Sequence, residues 1–269
     1  TTSASTPVAI GSMVGYSTHI ISAVNGQLYS DLTIDSTSAG SGSGALYIGG
    51  LVGYNYQVGF TSTDDGVTTL GTDASIAYTG TITVDLGDAR GASVGGIMGY
   101  LQGDSSSDPT ITNSIFGGKI IIKEQNGQAV IVGGTIANAN SNFTVASANN
   151  YGDVFIDYSE KPTSETPQNA SSRMSSYKFG GIVGQINSDG KLGTIKNSNS
   201  MVTNYNARLA GTTADTTKSD QTGAIVGAGT LSATTSNYYN SAVSLAYDNQ
   251  GTDIGYNASS ANGYKVATR

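Results

Sequence analysis

A short apolar block flanked by glycine returns six times along this chain, and its recurrence constrains the fold more than any other feature. Successive copies begin 38 to 47 residues apart. The copies are Ile10–Gly15, Ile48–Gly53, Val94–Gly99, Val132–Ala137, Phe179–Gly184 and Thr222–Gly227. A unit of this length is typical of repeat architectures, in which each repeat packs on its neighbours.

Two further blocks accompany the glycine block. One is rich in Asn, as in Asn113–Gly117, Asn149–Gly152, Asn197–Met201 and Asn237–Ser241. The other alternates apolar and polar residues, which is the pattern of a half-buried strand. Its apolar members should point inward, and they are Leu32 and Ile34, Ile82 and Val84, Ile120 and Ile122, Val154 and Ile156, and Val243 and Leu245.

Three short strands per repeat, separated by turn residues, predict one rung of a parallel solenoid. We therefore expect an all-β, single-domain parallel β-solenoid (β-helix) over residues 1–269, with about six rungs of three short strands and no substantial helix. The repeat core covers about residues 10–255, and residues 1–9 and 256–269 are terminal extensions. The glycines indicate either a close approach of two backbone segments or a positive φ, and both readings stay open.

The glycine block followed by an Asn-Ser strand resembles the GLUG motif repeat, a glycine-rich unit of bacterial and some eukaryotic surface proteins. The resemblance extends from about Ile10 to Gly255. It implies a secreted or cell-surface protein with a role in adhesion or scaffolding.

The composition excludes several classes of binding partner. The net charge of −7 disfavours nucleic acid and anionic lipid surfaces. No run approaches the roughly 18 apolar residues of a membrane span, so no membrane insertion is expected. The polar start, Thr1–Pro7, predicts a processed N-terminus and an extracellular location. Sequons at Asn142, Asn169 and Asn257 are possible N-glycosylation sites.

The sequence offers little for catalysis. It has no Cys and a single His, His19, so thiolate and His-pair metal sites are excluded. The acidic pairs Asp64/Asp65 and Asp104/Asp108 lie in turn-like sequence, where Asp ordinarily bonds its own backbone. We expect no enzyme, no cofactor and no metal, with a glycan lyase or glycosidase on a β-helix as a remaining alternative.

Stacking the alternating strands predicts two outward features. Lys123 should lie between Asp85 and Asp157, and Lys119 next to Asp153, forming a charge ladder that fixes the register. The column between these charges contains Thr33, Thr83, Ile121 and Phe155. The change from threonine to Ile121 and Phe155 along this column indicates either a loop packed over it or a surface that binds a partner.

The predicted function rests on the two ends of the stack of repeats. Unpaired terminal strands predict self-association, end to end or through terminal strands, as the subunit of a filament or surface array. The alternative is a carbohydrate-binding adhesin, suggested by 16 Tyr and a surface rich in Asn, Ser and Thr.

Overall fold

The computed structural model describes part of the chain. The described residues are 7–18, 22–23, 26–36, 44–57, 69–70, 75–86, 91–103, 108–123, 129–157, 177–187, 193–201, 205–208, 222–223, 225–229, 231–235, 237–240, 245–247, 252–254 and 264–266. All of their regular structure is β, and none of them belongs to a helix.

The strands form five sheets, here lettered A to E. Sheet A contains, in spatial order, β1 (Val8–Gly11), β6 (Leu46–Gly49), β11 (Ala92–Gly95), β16 (Val130–Gly133), β21 (Tyr177–Gly180) and β26 (Thr222–Gly223). Sheet B contains β2 (Val14–Ser17), β7 (Val52–Gln57), β12 (Met98–Gly103), β17 (Ile136–Asn140), β22 (Val183–Ile186) and β27 (Val226–Ala228). Sheet C contains β3 (Ser22–Ala23), β8 (Thr69–Leu70), β13 (Thr110–Thr112), β18 (Phe143–Ala146), β23 (Gly193–Lys196) and β28 (Leu231–Thr235).

Sheets D and E have seven strands each. Sheet D contains β4 (Gly26–Leu28), β9 (Ile76–Tyr78), β14 (Ser114–Phe116), β19 (Asn149–Asn150), β24 (Asn199–Ser200), β29 (Tyr238–Asn240) and β32 (Tyr264–Val266). Sheet E contains β5 (Leu32–Asp35), β10 (Thr81–Asp85), β15 (Lys119–Lys123), β20 (Asp153–Asp157), β25 (Tyr205–Arg208), β30 (Leu245–Tyr247) and β31 (Thr252–Ile254). All pairings of described strands are parallel except that of β30 with β31.

Each repeat supplies one strand to every sheet, so the first repeat is β1 to β5, the second β6 to β10, and the sixth β26 to β30. The prediction of three strands per repeat is therefore wrong, because five are present. The glycine block is divided between sheets A and B, and the alternating block is sheet E. The segments predicted as terminal extensions contribute strand residues as well, at Val8, Ala9 and Tyr264–Val266.

The alternating block has the predicted orientation. Ile82, Val84, Ile120 and Ile122 are fully buried, whereas Thr81, Thr83 and Asp85 are only half-buried. Val154 is buried too, and Leu245 lies in the same column, while Val243 lies outside the described residues. These apolar columns continue the aliphatic core that runs through the second to fifth repeats.

Close approach explains the glycines of the repeated block. A Cβ on Gly95 would lie 1.9 Å from the carbonyl oxygen of Met98, and one on Gly99 would lie 2.5 Å from the amide nitrogen of Ile48. Neither glycine has a φ in the left-handed region; among the described glycines only Gly229 does, at 102°. Of the two readings left open by the sequence, close packing is therefore the correct one.

The Asn-rich block marks the corner between sheets C and D. Asn113, Ser147 and Asn197 occupy this corner in successive repeats with φ of 49°, 55° and 50°. The short polar side chain of Asn tolerates this conformation better than most.

Candidate assembly interface

The first repeat lies at one end of the stack of described strands. Among those strands, β1 to β5 each end their sheet, and each pairs only with a strand of the second repeat. Six apolar side chains of this repeat are half-buried. In contrast, the residues paired with them in the second repeat are exposed by 3% or less. The pairs are Val8 with Leu46, Ile10 with Ile48, Val14 with Val52, Leu28 with Tyr78, Leu32 with Ile82 and Ile34 with Val84.

Met13 shows the difference most clearly. It occupies the turn between β1 and β2, and its amide donates to the carbonyl of Leu51, which occupies the same turn one repeat later. Leu51, Ile97 and Ile182 are exposed by 1% or less at this position, but Met13 is 54% exposed. We call Met13, Tyr16 and the six half-buried side chains the open end.

The opposite end of the stack is different. Ile225 and Val226 of the sixth repeat, which correspond to Met13 and Val14, are 0% and 2% exposed. Beyond that repeat, β32 adds to sheet D and β31 adds to sheet E in the reverse direction. The positions of Met13 and Val14 are therefore buried in the sixth repeat, whereas Leu231 of β28 is half-buried there.

A tyrosine ladder runs along the outside of sheet B and reaches the open end. Tyr16, Tyr54 and Tyr100 are register partners, with ring centroids 5.0 and 4.9 Å apart and nearly parallel planes. Tyr47 of sheet A packs on the ladder, 4.5 Å from the ring of Tyr100. Tyr56 lies beside the ladder, where its ring stacks with that of Tyr54. Each of the three stacked residues directly follows a glycine of the repeated block, a sequence signal that composition alone did not reveal.

Burial makes two of these tyrosines weaker acids than a free tyrosine. It raises the pKa of Tyr54 and Tyr47, and the proximity of Tyr100 raises both further. The hydroxyl of Tyr54 donates to Oε1 of Gln102, a bond that ionisation would remove. Stacking covers both faces of the Tyr54 ring, between Tyr16 and Tyr100, whereas Tyr16, the first ring of the ladder, is 57% exposed.

The register places the predicted charges in two columns of sheet E. Lys123 lies opposite Asp85 on one side and Asp157 on the other, and Lys119 lies opposite Asp153. Nζ of Lys123 is 3.9 Å from Oδ2 of Asp85, at the limit of an ion pair, with both side chains partly exposed. Such a contact contributes about 0.2–1 kcal/mol and favours the register more than the stability. The column of Asp85, Lys123 and Asp157 continues to Asp35 at one end and to Arg208 at the other. The charge ladder predicted from the sequence did not include these two residues.

The outward column of sheet E has the predicted composition. Thr33, Thr83, Ile121 and Phe155 are register partners in that order. Thr33 is exposed, and Thr83 and Ile121 are half-buried. The part of the column with described side chains thus has no exposed large apolar group, and its use as a partner surface stays a prediction.

The remaining predicted sites are mostly beyond the described residues. Asn142 is half-buried between β17 and β18. Two sequons and most of the acidic candidates are outside the described part of the chain, and these are Asn169, Asn257, Asp64, Asp65 and Asp104. Within the described part, no three His, Asp or Glu side chains converge as a metal site requires, and no helix is long and apolar enough to cross a membrane.

Comparisons with protein-family models, with curated proteins and with solved structures found no match to this chain.

Proposed function

We propose that the five sheets are the walls of one parallel β-solenoid, in which each repeat is a coil of five short strands. The order of the strands supports this, because every sheet takes its strands from successive repeats without a change in order through the sixth. Backbone bonds between counterpart strands, such as those from Gly50 to Gly95 and from Gly96 to Gly133, link each coil to the next.

We infer that this solenoid is an extracellular structural protein that assembles with other copies through an end of the stack. The observation that carries this proposal is the uncovered core at the open end. Side chains of the kind fully buried elsewhere are only half-buried there, beside five strand edges with which no other described strand pairs. Burying apolar area contributes about 25 cal/mol per Å², so covering this end would be favourable.

The two alternatives gain less support. A sugar-binding adhesin would use aromatic faces; stacking covers the ring of Tyr54, and the exposed tyrosines Tyr29, Tyr151 and Tyr238 lie in the first, fourth and sixth repeats rather than in one cluster. A glycan-degrading enzyme would need a pair of carboxylates, and of the acidic candidates only Asp108 lies among the described residues, where it is exposed. Adhesion and glycan cleavage stay predictions from the sequence.

Sedimentation velocity over a wide range of protein concentrations tests the proposal. We expect the unmodified chain to form larger species as its concentration rises. Met13→Lys places a charge on the open end and should shift the protein to the monomer. Tyr151→Lys is the matched control, because Tyr151 is 53% exposed but lies in the fourth repeat, between β19 and β20.

Circular dichroism of both variants establishes that the sheets are intact. A monomer at every concentration for the unmodified chain would refute self-assembly. Equal association of the unmodified chain and Met13→Lys would show that the open end is not the assembling surface.

A further inference from the structure

The two ends of the stack are unsuited to one another. A head-to-tail assembly that continued all five parallel sheets would have to pair β5 of one copy with β31 of the next, and β31 runs in the reverse direction. It would also bring the uncovered core around Met13 against Ile225 and Val226, which are already buried. A filament of identical contacts therefore lacks a complementary second surface.

The open end is complementary to a second copy of itself in the inverted orientation. A two-fold axis perpendicular to the stack brings two sets of parallel edge strands together in antiparallel fashion, and antiparallel edges exchange N–H and C=O groups. The half-buried side chains of the two open ends would then meet across the axis. An interface of this kind is closed, because both copies contribute the same surface.

We propose that two copies pair head to head through their first repeats, as a two-fold symmetric dimer. This inference rests on the proposed self-assembly and specifies its geometry. The occupant of the open end is the first repeat of a second copy, with Met13 near the axis because its column lies in the core. Any larger surface array would then be built from such dimers rather than from single chains.

Charge at the open end gives the pairing a distinct salt dependence. Residues 1–36 contain Asp31 and Asp35 and no Lys, Arg or Glu. Both carboxylates are on exposed residues, so two open ends repel each other across the interface. The screening length falls from about 30 Å at 0.01 M salt to about 8 Å at 0.15 M. We expect the dissociation constant to fall several-fold over this range.

Cross-linking in this cysteine-free chain tests the geometry. Met13→Cys introduces a single thiol at the open end, and Tyr238→Cys introduces one in the sixth repeat, where Tyr238 is 41% exposed. A short bis-maleimide reagent is added to each variant and to an equimolar mixture. Sedimentation velocity of the untreated variants is measured at the same concentration.

Head-to-head pairing predicts a covalent dimer for Met13→Cys alone, none for Tyr238→Cys alone, and no additional product in the mixture. A dimer that requires both variants together would refute head-to-head pairing while leaving self-assembly intact. Monomers in sedimentation and no covalent dimer would refute both proposals. Equal cross-linking of all samples would mean random collision and would also overturn the inference.

Discussion

Replacing Gly95 by Ala should destabilise the protein strongly, because this glycine lies where one repeat bends from sheet A to sheet B. The added Cβ would be 1.9 Å from the carbonyl oxygen of Met98, about 1.5 Å closer than an ordinary contact. A Cβ has no rotamer with which to avoid the clash, so the backbone of the turn must move.

The movement disrupts bonds to the next repeat. The amides of Gly96 and Met98 donate to the carbonyls of Gly133 and Thr135, at 3.0 and 2.8 Å. Losing two such bonds costs about 1 kcal/mol each, and overpacking adds about 1–3 kcal/mol. We expect the free energy of unfolding to fall by about 3–5 kcal/mol.

Urea unfolding followed by circular dichroism measures this loss. With an m-value of about 3 kcal/mol/M, the midpoint should fall by about 1–2 M. Gly26→Ala is the matched control, because a Cβ on Gly26 meets nothing within 4 Å, and its midpoint should stay the same or rise slightly. Equal midpoints for the two variants would refute the close packing of the repeats.

Three further predictions concern the ladders and pH. Burial raises the pKa of Tyr78 to about 12, and the Tyr78 hydroxyl donates to the backbone carbonyl of Ser30. The free energy of unfolding should therefore stay constant up to pH 10 and fall as the pH rises through 12, because ionisation removes this bond. Urea midpoints at several pH values measure this fall. Tyr100→Ala should lower the midpoint far more than Tyr151→Ala, because it interrupts the aromatic ladder, and equal effects would argue against stacking as a source of stability. Lys123→Gln should cost no more than about 1 kcal/mol, since its contact with Asp85 is long and partly exposed, and a larger loss would mean a stronger ion pair than the geometry implies.

The parts of the fold that sequence predicts are those where one physical signal dominates. Sheet E was predicted because strict alternation, as in Thr81–Asp85, is produced by one buried and one more exposed face. The strand Tyr205–Arg208 of the same sheet was missed, since it has no alternating aliphatic residues. Strands of two residues, such as Ser22–Ala23, are too short for any periodicity to show.

The division of the glycine block into two strands was missed for a different reason. A strand that bends sharply at Gly49 and Gly50 has the same composition as a straight apolar strand, and only close contacts within the repeat and with the next one reveal the bend. The five-stranded repeat thus depends on contacts between segments about 40 residues apart, which a single repeat does not encode.

The candidate interface could not be read from residue types at all. Val8, Ile10 and Ile34 are ordinary core residues, and they are half-buried because, among the described strands, their own strands are the last in their sheets. The charge ladder, in contrast, follows directly from the register of sheet E. Its register was predictable, but the weakness of the contact between Lys123 and Asp85 was not, because it depends on side-chain geometry.

Hydrogen exchange of the intact chain at low and high concentration is the most direct test of the open end. If a second copy covers it, amides of residues 8–36 should exchange more slowly at high concentration, while those of the third and fourth repeats stay equally protected at both. Unchanged exchange in residues 8–36, or slowing spread evenly over all repeats, would contradict an interface at the first repeat.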